Sequence, residues 1–260
     1  MLQAYRFLPF AIALLALAVT GPSFAQKAQG YVQEVSGTVT AQVGSGRVVD
    51  VAKGQTLVNN AIITTGPKSH AVLKFEDGTS ILLKEMTSFK VQVYSYDAKA
   101  PQTANATVQL LRGGIRISGG QITNQKRDAL KVATPMATIG IRSSEFVAVL
   151  VNPLYLQVMS GTTTLTNSAG TVAIGAGQTA VVPNATTLGA LVPISEVPAG
   201  TFEMPKVLLT QAPATIPAGP AVGGAAGGVG VGTALAIGAA VVGAGLLISA
   251  DDDAATVTHH

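Results

Sequence analysis

Two stretches of the chain say nearly the same thing. Ser36-Gly37-Thr38-Val39-Thr40 leads through a Gly-containing turn to Val51-Ala52-Lys53-Gly54-Gln55-Thr56-Leu57-Val58. Ser160-Gly161-Thr162-Thr163-Thr164 leads to Val172-Ala173-Ile174-Gly175-Ala176-Gly177-Gln178-Thr179-Ala180-Val181. Each reads as a strand, a turn, a strand, and a Gly-Gln-Thr corner into another strand. β-branched residues fill the runs, and glycine stands where the backbone must turn. The elements between the copies are needed to complete one domain. The repeat therefore predicts two similar wraps closing opposite ends of a single all-β unit, not two binding units.

The pattern between the copies agrees. Tyr31 to Val35, Ala61 to Thr65, Ala71 to Phe75 and Ser80 to Lys84 are short β runs with turn signals between them. Phe89 to Tyr94 alternates apolar and polar, as a half-buried strand does. Glu76-Asp77-Gly78-Thr79 reads as a tight hairpin of type I′. Val108 to Leu111 and Ile115 to Ile117 flank Arg112-Gly113-Gly114, Gln121 to Asp128 reads as a polar loop, and strands resume at Leu130, Phe146 and Tyr155. No amphipathic helix is expected before residue 184. Spacing of this kind predicts a sandwich, jelly roll or barrel over residues 29–183.

The flanks are different. The chain of 260 residues is 48% hydrophobic and only 11% charged, against about 25% charge in an ordinary soluble domain. Two segments explain the deficit. Arg6, the apolar run Phe7 to Val19, and Ser23-Phe24-Ala25 read as a secretory signal peptide over residues 1–25, implying export. Residues 184–222 carry repeated prolines and predict an extended linker. Gly223 to Ala250 is uncharged and rich in Gly, Ala, Val, Leu and Ile. As a helix, its 28 residues would reach about 40 Å, enough to cross a bilayer. Small-residue pairs such as Gly223/Gly227 and Gly228/Gly232 suit close helix approach. Membrane contact or self-association is the expectation, with a flexible tail as the alternative. Residues 251–260 form an acidic and polar tail.

Several chemistries lack material. There is no Cys, which removes disulfides and thiolate sites. His70 is the lone His outside the terminal pair. The formal net charge is +3, and Lys126-Arg127 is the one adjacent basic pair, so nucleic acid is not an expected partner. Ser143-Ser144 has no nearby base. No catalytic residue, cofactor site or metal site is expected, and the chain reads as non-enzymatic.

An ordered set of motifs resembles the periplasmic domain of the FecR family. It comprises Gly37-Thr38-Val39, Gly54, Thr65-Gly66, the stretch Ala71 to Thr79 with Asp77-Gly78, Leu111-Arg112-Gly113-Gly114-Ile115, Thr134-Pro135-Met136-Ala137-Thr138-Ile139-Gly140-Ile141-Arg142 with Phe146, Val158 to Gly161, and Gly177-Gln178. Ser143 and Ser144 depart from the family's Gly-Thr. The resemblance implies an all-β FecR-like domain in the Gram-negative envelope, in the periplasm or at the outer membrane. Thr134, Pro135, Gly140, Arg142, Phe146, Asp77 and Gly78 are its family-motif positions, structural or partner-contacting. Arg142 is expected to pair with Glu145 or to cap loop carbonyls. Well-known members regulate a sigma factor through a cytoplasmic segment. Here the β domain is read as following the signal directly, so that role is not expected to transfer. The expected role is an interaction scaffold or adaptor with an envelope protein partner. Signalling with a separate anti-sigma and TonB-dependent receptor system is one alternative, and polysaccharide or peptidoglycan binding is another.

Overall fold

Three long strands pass through both faces of a β sandwich. In the computed structural model, residues 28–126 and 128–219 are described, and the expected signal peptide, apolar segment and tail lie outside them. The strands are β1 (Gly30–Ser36), β2 (Val39–Val43), β3 (Val49–Asp50), β4 (Thr56–Leu57), β5 (Ala61–Thr65), β6 (His70–Phe75), β7 (Ser80–Leu83), β8 (Ser88–Ser95), β9 (Asn105–Ser118), β10 (Leu130–Ala133), β11 (Thr138–Leu150), β12 (Leu154–Asn167), β13 (Gly170–Gly175), β14 (Thr179–Val182) and β15 (Ala190–Val192). The chain is all-β, as its pattern predicts.

One layer runs β3-β2-β5-β8, then the first half of β9, β10, the first half of β11, the second half of β12, and β13. The other runs β4-β1-β6-β7, then the second half of β9, the second half of β11, the first half of β12, β14 and β15. Most pairs are antiparallel, while β10 pairs β9 in parallel. Inward residues switch parity where each long strand changes layer. Ala106, Val108 and Leu110 give way to Ile115 and Ile117; Ile139 and Ile141 to Phe146, Ala148 and Leu150; Leu154, Leu156 and Val158 to Thr163 and Leu165. A one-residue slip turns every later side chain to the other face of the strand. Each crossing uses that slip to keep both halves facing one core.

This corrects one expectation. Arg112-Gly113-Gly114 does not separate two strands. It is the bend inside β9, with Gly113 at φ +86°. Its Cβ would stand 2.5 Å from Thr87 Cα, so a side chain has neither the space nor the backbone conformation. The polar stretch after β9 is likewise not all loop, since Gln121–Gln125 forms the short helix α1.

The two wraps superpose in their chemistry. Gly37 (φ +74°) joins β1 to β2 and Gly161 (φ +75°) bends β12. Gly54 donates to Val32 O at 2.8 Å and Gly177 to Val158 O at 2.8 Å. Val32 and Val158 donate in return to the carbonyls of Gln55 and Gln178, at 2.8 and 3.0 Å. The Gln55 amide oxygen accepts from Ala52 N at 2.9 Å, and that of Gln178 from Gly175 N at 2.7 Å. One wrap forms the β3/β4 edge of the sandwich, and the other lies at the opposite side, where β13 is an edge and β15 adds to β14.

The proline-rich stretch is extended, and it stays with the sheet. Ala190–Val192 adds β15 to β14, a 3-10 turn follows at Ile194–Glu196, and residues up to Gly219 continue against the domain.

Candidate functional site

The hairpin between β6 and β7 carries the most heavily bonded side chain among the described residues. Phe75 O accepts from Gly78 N and Phe75 N donates to Thr79 O, at 3.0 and 2.9 Å. Gly78 has φ +94°, whereas Asp77 is not in the left-handed region. The turn is thus type I with a glycine bulge rather than type I′. That geometry points the Asp77 carboxylate inward. It accepts from Thr79 N (3.1 Å), Thr79 Oγ1 (2.7 Å), the Tyr94 hydroxyl (2.7 Å) and Ile122 N at the start of α1 (3.2 Å). Gly120 N donates to Thr79 Oγ1, and Gln121 N to Asp77 O. Asp77 is fully buried. It ties the hairpin, β8 and α1 together, which is a structural task. Burial, and next the nearby Asp77 charge, hold the Tyr94 hydroxyl well above the usual tyrosine range. The Tyr94 ring stacks on Phe75 with centroids 4.0 Å apart.

Other motif positions scatter. Phe146 is core. Arg142 pairs with Asp128 at 3.4 Å, both about 40% exposed. Its expected partner Glu145 instead bonds Arg116, whose Nε lies 2.7 Å away. The register explains this. Arg116 stands opposite Val147, one diagonal from Glu145, and β11 bulges between Arg142 and Glu145. Gly140 lies beside that pair, where a Cβ would stand 2.6 Å from Thr164 Oγ1. Asp128, Lys131, Thr138, Arg142, Thr164 and Thr166 line a shallow polar hollow there.

Two motif stretches do converge. The Thr134 hydroxyl donates to Ala137 O (2.7 Å) and accepts from Met136 N and Ala137 N, at 3.2 and 3.0 Å. This fixes a turn with Pro135 and Met136 at its tip. The β9 bend presents Leu111, and the β7–β8 turn presents Met86. That turn is held by buried hydroxyls. Thr65 Oγ1 donates to Lys84 O at 2.6 Å, and Thr87 Oγ1 accepts from Gly114 N at 3.0 Å. With Val149 to Asn152 these turns enclose an open cleft of about 670 Å³. Met86 is 46% exposed, Leu111 41% and Val151 62%. Lys84, Glu85 and Arg112 stand in its wall, and Glu85 already accepts from Lys68 N at 2.7 Å.

Sequence reading did not single out Met86, Val151 or Lys74. Lys74 had a signal, being a lone charge inside the apolar run Ala71 to Phe75. Among the described residues no three His, Asp or Glu side chains group as metal ligands, and no helix is long and apolar enough to cross a membrane.

The family model described as FecR protein matches residues 61–172. The chain carries a FecR domain. The match runs from β5 into β13, so it contains the Asp77 hairpin and every wall of the apolar cleft. The chain is also similar to two solved structures of a candidate anti-sigma factor from Parabacteroides distasonis. They are 16% and 15% identical, with TM-scores of 0.40 and 0.38, over 50% of this chain in each case. This chain spans 57% of that protein's length. No curated protein matches the sequence.

Proposed function

We propose that this chain is a non-enzymatic component of cell-envelope signal transduction that works by protein contact. Its FecR domain is the support for signalling, and the cleft between the β7–β8 turn, the β9 bend and the β10–β11 turn is the support for contact. One observation carries the reading: two separate family motifs, Leu111 to Ile115 and Thr134 to Ala137, are brought together to display apolar side chains to solvent. The partner is an envelope protein offering an apolar segment flanked by acidic residues. Lys84 and Arg112 supply the complementary charge, since two cations against the single Glu85 carboxylate leave the wall net positive.

The magnitudes favour a transient complex. Full burial of one such side chain contributes about 1.5–3 kcal/mol, and these begin half-buried. Association costs several kcal/mol in lost freedom. Leu111→Asp tests the site. The exposed position predicts a change in stability within about 1 kcal/mol. A photo-crosslinker at Met86 should capture one discrete envelope protein in cells, and Leu111→Asp should abolish the adduct. The same variant should reproduce the transcriptome of a deletion strain. A folded Leu111→Asp protein with wild-type adduct and transcriptome would overturn the proposal.

A further inference from the structure

The layer that contains β1, β6 and β7 has an outer face that ought to be wet and is not. On β6 and β7, Val72 and Lys74 stand opposite Leu82 and Ser80. All four are buried, as is Ser118 on β9, yet the apolar pair lies outside the central core. What reaches this face is the strap of residues 205–219. Thr210 O accepts from both Lys74 Nζ and Ser80 Oγ, the latter at 2.6 Å. Gln211 Nε2 donates to Ser118 Oγ at 3.0 Å. Ala214 N donates to Glu76 O at 3.4 Å, and Thr56 Oγ1 to Gly219 O at 3.4 Å.

Two glycines make the approach possible. A Cβ on Gly78 would fall 2.1 Å from Gln211 O, and one on Gly219 would fall 2.3 Å from Gly54 O. No side chain fits at either crossing. The strap itself is not buried anywhere between residues 198 and 219, and Leu208 is 89% exposed. It covers polar groups without entering the core.

Lys74 explains the selectivity of this groove. Its ammonium has three N–H donors, which go to Gly78 O (2.9 Å), Ser80 Oγ (3.0 Å) and Thr210 O. Two acceptors belong to the hairpin and are permanent. The third is lent by the strap. Burial draws the Lys74 pKa down while Asp77 opposes that. An ammonium with a missing acceptor in such a place costs more than an ordinary lost hydrogen bond. An empty groove therefore demands a replacement carbonyl.

We infer that this groove is an exchangeable peptide site. Residues 205–219 are its resident ligand, and it accepts an extended segment of another polypeptide that offers a main-chain carbonyl to Lys74 and a side-chain amide to Ser118. The recognition is mainly of backbone, with one amide for register, as in other modes that read an extended chain. The site lies at the opposite end of β7 from the apolar cleft, so it stands whether or not the cleft binds a partner.

The test keeps the full chain. A specific protease sequence placed at Ala199-Gly200 allows the folded protein to be nicked ahead of the strap. A fluorescent synthetic peptide of residues 206–219 is then titrated into intact and nicked protein. Nicked protein should bind it saturably. Intact protein should bind at least 100-fold more weakly, because its own strap competes at an effective concentration in the millimolar range. Lys74→Met should weaken binding more than tenfold, and Ser118→Ala several-fold. If Lys74→Met does not fold, the Gln211→Ala peptide decides with the protein untouched, and a several-fold loss is expected. Absence of exchange on folded nicked protein, even in large excess of peptide, would make the strap a permanent part of the fold and overturn the inference. So would binding indifferent to Gln211→Ala and Ser118→Ala.

Discussion

The first and last wraps of the sandwich share their corners and differ in their finish. In the first, the chain breaks at Gly37 into β1 and β2, and Ser69 Oγ takes the freed Thr38 N–H at 2.9 Å. In the second, β12 bends at Gly161 without a break. The first ends in the two-residue β4, with the strap arriving at Gly219. The second ends in the four-residue β14, covered by β15. A bare sheet edge invites pairing with other chains. The same corner is thus capped by a strand at one end and by an extended strap at the other. The corner sets the path of the chain, and the finish sets what each edge is free to do.

The largest effect is expected at Asp77, whose carboxylate ties the β6–β7 hairpin to β8 and α1 between the two wraps. Asp77→Ala leaves four buried donors without their acceptor and should cost about 3–5 kcal/mol, measured by denaturant unfolding. Gly37→Val comes next. It places a side chain at φ +74° with its Cβ 2.3 Å from Ser69 Oγ, for a cost of about 3 kcal/mol. Gly177→Ala, at φ +77° with open space around it, should cost only about 1 kcal/mol. Equal losses would show that the positive φ shared by the two positions, not the space around them, sets the cost.

Tyr94→Phe should follow, at about 1–2 kcal/mol at neutral pH. Because Tyr94 holds its proton more tightly when folded, its contribution is complete below pH about 10 and is lost as pH rises through the folded value. The variant should therefore flatten part of the alkaline decline in melting temperature. The smallest effect sharpens the equivalence. Gln55→Ala and Gln178→Ala each remove one amide-to-backbone bond and should each cost about 1 kcal/mol. A difference well beyond 1 kcal/mol between them would mean that the two corners are alike only in sequence.

Much of the sandwich was legible because its signals are local. Alternation marked β8, glycine marked the corners, and the repeat marked both ends. The long strands were harder. At Gly113 the parity slip looks like the end of one strand and the start of another, while hydrogen bonding carries on through it. The Asp77 hairpin was legible as a turn but not as an anchor, since Tyr94 and Ile122 meet it only in three dimensions. The apolar cleft could be read only in pieces. Leu111 and Pro135 stood in recognised motifs, but nothing local placed Met86 and Val151 beside them. The strap was hidden for a different reason. Prolines announce an extended chain, yet its anchoring groups at Thr210 and Gly219 are main-chain carbonyls, which every residue possesses.

The crossing of β9, β11 and β12 between layers has a last consequence. In an ordinary sandwich the two sheets meet only through side chains and can in principle part along that seam. Here the backbone ladders run through the seam three times. Neither sheet can melt while the other survives, so calorimetry should give one transition whose van't Hoff and calorimetric enthalpies agree. Pairings between residues as distant as β1 and β6, or β7 and β9, must also form before the structure closes. The sandwich should therefore be a slow folder with a sharp melt.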